Sequence, residues 1–128
     1  MRRLIALSTL ALALAGPASS AESTVRWFYS PSGNIGCEVA AADVRGTYAY
    51  CQTTHPPRSV KLRANGRSHV CRGTGCIGNG PENAFKLGYG RSVKVGPFRC
   101  TSRRIGMTCL VVRSGHGFEL SRERVRTF

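Results

Sequence analysis

From residue 24 onward, apolar and polar residues alternate in short runs, and apolar residues at helical spacing are scarce. Clusters of Gly, Pro, Asn and Ser interrupt these runs about every eight to twelve positions, a rhythm that predicts an all-β fold. The expected architecture is a small antiparallel sandwich or barrel, with at most a short helical turn at the C-terminus. The first predicted strand covers 24–29, where Val25, Trp27 and Tyr29 share one face. In the first strand of a small β domain we read that aromatic face as core. The interleaving of Arg26 with Trp27, Phe28 and Tyr29 also suits a platform for single-stranded nucleic acid, and the core reading is preferred.

Residues 35–40 and 46–51 form a predicted hairpin around Asp43 to Gly46. A turn centred on Val44 sets Cys37 opposite Cys51. Residues 59–63 and 68–71 alternate on either side of an Asn65-Gly66 turn, and 91–95, 98–101 and 107–112 complete the predicted strands. The Arg103-Arg104-Ile105-Gly106 turn sets Cys100 opposite Cys109. Between these blocks, 78–83 is the most loop-like stretch, and its one carboxylate is too few for a calcium site.

The N-terminus changes the picture of where such a domain works. Arg2 and Arg3 precede an apolar run from Leu4 to Ala15, Gly16-Pro17 breaks it, and the small residues Ser19 and Ala21 stand before Glu22. That pattern predicts a cleaved export signal at 1–21 and one secreted domain at 22–128. The run is short for a membrane span, and no other stretch is apolar enough for one. We therefore expect an extracellular or cell-envelope location.

All six cysteines (Cys37, Cys51, Cys71, Cys76, Cys100 and Cys109) lie after residue 21. An even count in an oxidising compartment predicts disulfides rather than metal ligands. Six cysteines allow 15 pairings. Turn symmetry favours 37–51, 71–76 and 100–109 without excluding the others. His69 near Cys71 and Cys76 makes zinc the rival, but this C-x4-C pair has no second pair to complete a site. No metal or cofactor is expected.

Taking Arg2 and Arg3 from the 19 basic residues leaves 17 against 6 acidic ones, a formal +11. Fourteen of the 17 are arginine, which grips carboxylate and phosphate with two prongs. Such a field draws anionic polymers. Arg103, Arg104 and Arg113, with Arg122 and Arg124 of the tail, form the candidate binding patch, set against a plain solvated basic edge. Ser121 is placed to cap a short helical turn there.

His116, Glu119 and the nearby arginines match the inventory of a small ribonuclease, a proton pair with a phosphate holder. On one strand, however, His116 and Glu119 point to opposite faces, and His116 shares a face with Phe118 and Leu120. We therefore read His116 as structural and keep it with Glu119 only as a weak catalytic pair.

Three stretches carry a resemblance: Ser30-Pro31-Ser32-Gly33-Asn34-Ile35-Gly36-Cys37, Gly96 to Ser102 with Gly106 to Cys109, and Ser114-Gly115-His116-Gly117-Phe118-Glu119-Leu120-Ser121-Arg122-Glu123. Together they resemble a family of small secreted bacterial proteins that is a domain of unknown function. Val60 stands where that family's pattern has a further cysteine, and Cys76 is an extra one, which fits a local 71–76 bridge. The resemblance implies export and a disulfide-stapled β domain, and brings no activity, cofactor or catalytic residue.

The resulting expectation is a non-enzymatic, secreted, cationic binding module, monomeric and without specific nucleic-acid recognition. Its partner is an anionic envelope polymer or another protein. The alternatives are a small phosphodiester hydrolase and an enzyme inhibitor.

Overall fold

The computed structural model describes residues 10–16 and 22–128. Most of the expected signal segment, 1–9 and 17–21, lies outside the described residues; 10–16 are exposed and carry no regular structure. No helix among the described residues is long and apolar enough to cross a membrane.

Among the described residues, eleven strands build two sheets. They are β1 (Thr24–Tyr29), β2 (Ile35–Asp43), β3 (Gly46–Thr53), β4 (Arg58–Arg63), β5 (Ser68–Arg72), β6 (Phe85–Lys86), β7 (Ser92–Val95), β8 (Phe98–Arg103), β9 (Gly106–Val111), β10 (Gly117–Leu120) and β11 (Val125–Thr127). The first sheet has the order β5-β4-β3-β2-β1-β6, the second β11-β10-β9-β8-β7. Every pairing is antiparallel except β1 with β6. The all-β, disulfide-stapled sandwich expected from the sequence is therefore the fold.

Strand alternation assigns the core. Phe28, Cys37, Val39, Ala49, Cys51, Val60 and Leu62 face inward from the first sheet. Phe98, Cys100, Met107, Cys109, Phe118 and Leu120 meet them from the second, all fully buried. Each large apolar side chain so buried contributes roughly 1.5–3 kcal/mol. The cysteines pair as 37–51, 71–76 and 100–109. The first and last bridge directly opposed residues of neighbouring strands, with Cα atoms 4.1 Å apart.

Two features close the sandwich at the end where β9 begins and β10 finishes. Gly106 has φ 149°, and a Cβ there would run into the Leu120 carbonyl, so only glycine lets the β8–β9 turn sit against β10. Arg58 on β4 is buried and donates from Nη2 to the carbonyl oxygens of Ser121 (3.1 Å) and Arg122.

The tail differs from the expected helical turn. Residues 121–124 make a hairpin turn into β11, in which the Arg124 amide donates to Ser121 Oγ at 3.2 Å. The one helical turn among the described residues is the 3₁₀ turn Thr74–Cys76, inside the loop that Cys71–Cys76 staples.

The first strand also corrects the sequence reading. Phe28 is its core residue, while Trp27 and Tyr29 are half-buried on the opposite, outer face. Register explains this: Phe28 lies opposite Cys37, whose sulfur points inward, so its neighbours in β1 must point out.

Candidate functional site

His116 and Glu119 are not brought together. His116 is exposed in the loop before β10 and packs over Gly66, where an added Cβ would meet its own Cβ at 3.0 Å. Glu119, in the middle of β10, is on the outer face of its sheet, with Oε2 3.6 Å from Arg126 Nη2. Phe118 and Leu120 on either side of it are fully buried, and no hydrogen bond or ion pair joins the glutamate to the histidine.

The five arginines of the candidate patch are all exposed and fall into two groups. Leu120 lies opposite Met107, so the β8–β9 turn with Arg103 and Arg104 and the β10–β11 turn with Arg122 and Arg124 share one end of the second sheet. Arg113 follows β9 at the other end, with His116. Arg104 also lies over the Tyr89 ring, 5.2 Å from its centroid.

Only two of the cations take part in ion pairs among the described residues. Arg45 takes Glu38 at 3.1 Å and Asp43 at 3.0 Å, and Arg126 takes Glu119. Half of the six acidic residues are thus neutralised internally by two arginines, leaving the rest of the basic surface facing solvent.

A cavity lies on the outer face of the six-stranded sheet, in the middle of its strands. It is an open cleft of about 240 Å³, walled by Trp27 and Tyr29 of β1, Glu38 of β2, Tyr48 and Tyr50 of β3 and Lys61 of β4. The strands put these residues side by side because Trp27 pairs with Glu38, Glu38 with Tyr50, and Tyr50 with Lys61. Gly36 makes room for the Tyr29 ring, since a Cβ there would stand 2.9 Å from Tyr29 Cε1.

A wall of loop residues completes the cleft. Gln52 mimics a strand partner for Gly78: its Nε2 donates to the Gly78 carbonyl at 2.7 Å, and its Oε1 accepts from the Gly78 amide at 2.8 Å. The Tyr50 hydroxyl donates to the Cys76 carbonyl at 2.9 Å and the Tyr29 hydroxyl to the Pro81 carbonyl at 3.3 Å. The loop at 78–83 is thus more than a turn. It is tied across the sheet by the Gln52 and Tyr29 side chains, and the segment before it is held by the Tyr50 bond to Cys76 and by Cys71–Cys76.

Glu38 is the polar centre of the cleft and only 6 % exposed. Its Oε1 accepts from the Tyr48 hydroxyl and faces Arg45 Nη1 at 3.1 Å. Its Oε2 receives no hydrogen bond from the described residues and is open to the cleft. Burial, then the hydrogen bond and charge of Glu38, push the Tyr48 phenol up to about 12. Burial and the same carboxylate also raise Tyr50. The Arg45 backbone amide and guanidinium hold Asp43 below its ordinary value. Lys61 Nζ lies 4.2 Å above the Tyr48 ring, a cation–π contact, and has no carboxylate partner among the described residues.

A second concavity of about 360 Å³ shares Arg45, Tyr48 and Lys61 with the first and adds Arg63. One continuous groove results, aromatic at the β1 end and basic toward the β4–β5 turn. Sequence reasoning misses it because strand alternation alone assigns Trp27 and Tyr29 to the core. No three His, Cys, Asp or Glu side chains among the described residues are grouped to hold a metal ion.

Comparison with known proteins gives a family without an activity. The model of a family of unknown function (DUF6636) matches residues 51–128, and the chain belongs to that family. The matched part begins within β3, so Trp27, Tyr29, Glu38, Tyr48 and Tyr50 of the groove precede it, whereas Lys61 and the loop wall lie inside it. No curated protein and no solved structure matches the chain.

Proposed function

We propose that this member of the DUF6636 family is an exported, non-enzymatic binding module for an anionic polymer at or outside the cell envelope, with 1–21 as its cleaved leader and 22–128 as the working domain. The observation that carries the reading is the charge arrangement. Three of the six acidic side chains are paired within the fold by Arg45 and Arg126, while Arg103, Arg104, Arg122 and Arg124 crowd one end of the second sheet with no carboxylate partner among the described residues. A polyanion is the partner that such a surface lacks. The separation of His116 from Glu119 supports binding over phosphodiester hydrolysis. Three disulfides in a chain of this size support an oxidising destination.

Retention on immobilised heparin tests this. Retention should fall steeply between about 50 and 200 mM salt, and reversal of Arg103, Arg104, Arg122 and Arg124 to Glu should abolish it at the upper end. Retention indifferent to salt, or unchanged by the four reversals, overturns the reading.

A further inference from the structure

We infer that the groove on the outer face of the six-stranded sheet is a binding site for an acidic oligosaccharide, seating a sugar ring against Trp27 and Tyr50 and a ring carboxylate at Arg45, Lys61 and Arg63. The inference goes beyond the polyanion-binding reading: it adds a second site, on the other sheet, with its own ligand class.

Three properties of the groove must be met by one ligand. Its aromatic end presents half-buried rings, whose electron-rich faces accept the weakly positive C–H face of a pyranose. Its floor holds Glu38 with one oxygen occupied by Tyr48 and Arg45 and the other open, so the ligand must supply a donor there. Its far end carries Arg45, Lys61 and Arg63, of which only Arg45 has a carboxylate partner, so the ligand must carry negative charge on that side.

An acidic sugar offers all three on one ring: apolar C–H face, hydroxyl donors and carboxylate. The cleft of about 240 Å³ has room for roughly one or two such rings. A nucleotide fits less well. The base edge best suited to a carboxylate, that of guanine, needs both oxygens at once, and Glu38 Oε1 is already taken. A simple cationic ligand is disfavoured by Arg45 and Lys61, which already occupy the carboxylate and the Tyr48 ring.

The chain has one tryptophan, so Trp27 fluorescence reports on the groove. Titration of the full domain with tetragalacturonate should shift that emission saturably, and calorimetry should give an affinity lowered about tenfold by Lys61→Ala and by Trp27→Ala. Lys61 is exposed, so its variant keeps the test open should Trp27→Ala fold poorly. A neutral galactose oligomer should bind about tenfold more weakly than the acid at about 150 mM salt.

Wild-type affinity in both groove variants, or equal affinity for the neutral sugar, overturns the inference. A single-stranded oligonucleotide that displaces tetragalacturonate at lower concentration reassigns the groove to nucleic acid and overturns it too. Heparin retention without tetragalacturonate binding overturns this site and leaves the polyanion reading standing. The converse result overturns that reading and leaves the site.

Discussion

Cys51 Sγ lies 3.7 Å from Cys109 Sγ, so the disulfide of one sheet rests on the disulfide of the other at the centre of the sandwich. Both bridges are fully or almost fully buried. In the chain-entropy account each closes a short loop worth about 2–3 kcal/mol, with a packing loss added when the sulfurs are removed. Cys37→Ala should therefore cost about 3 kcal/mol or more in denaturant unfolding and also leave the Cys51 thiol against Cys109. At alkaline pH that thiolate can attack Cys109 Sγ, forming 51–109 while Cys100 departs as thiolate. A non-reducing peptide map of the variant should contain the 51–109 link; a map with 100–109 alone would show that the packed layer forbids the exchange.

The same cysteines show how much was legible beforehand. Turn symmetry about Val44 and about the 103–106 turn predicted the two cross-strand pairs, and the strand blocks followed from alternation. The face of each strand was also implicit. Once Cys37 and Cys51 point inward, Glu38, Tyr48, Tyr50 and Gln52 must point out, because successive side chains alternate. What alternation could not supply was the register of β1 against β2, which turns on Phe28 meeting Cys37 rather than Trp27 meeting it. A one-residue slip exchanges faces, and the face with more large apolar residues, Val25, Trp27 and Tyr29, points to the wrong assignment. The short strands β6 and β11 were invisible because two or three residues carry no periodicity.

Tyr48 gives the fold an alkaline limit. Its phenol is raised from the ordinary value of 10.0 to about 12, chiefly by burial and then by Glu38. The neutral form is thus favoured in the folded state, and its contribution is full below pH 10 and lost as pH rises through about 12. Two units correspond to at most about 2–3 kcal/mol. Tyr48→Phe should cost about 1 kcal/mol near neutrality and flatten the loss of stability between pH 10 and 12. Denaturant midpoints across that range measure both; an unchanged alkaline slope would assign it to another group.

Arg58 joins the sheets through backbone rather than through a counter-ion. Its Nη2 reaches the Ser121 and Arg122 carbonyls, and its Nε has no partner among the described residues. Removing a buried charge recovers desolvation, while shortening it leaves the charge buried and the carbonyls unmet. Arg58→Lys should therefore destabilise more than Arg58→Met, by about 2–3 kcal/mol against about 1–2. Amide exchange should quicken first in β10 and β11, the strands the guanidinium holds. Equal costs for both variants would mean that the contact is one of packing alone.

The groove depends on Gly36 as much as on its aromatic residues. Tyr29 lies over the space a Cβ would take, and its hydroxyl reaches the Pro81 carbonyl that helps hold the loop wall. Gly36→Val should push the ring outward, at an overpacking cost of about 1–3 kcal/mol. It should also break the Tyr29–Pro81 hydrogen bond while leaving the core, which lies on the other face of β2, as it is. Gln52→Leu acts on the other tie, freeing the Gly78 amide and carbonyl at once. In both variants amide exchange at 78–81 should accelerate and Trp27 emission move toward that of a solvated indole, with disulfide-stacked β2 and β3 still protected. Protection lost equally in β2 and the loop would show that the loop wall and the sheet open as one unit.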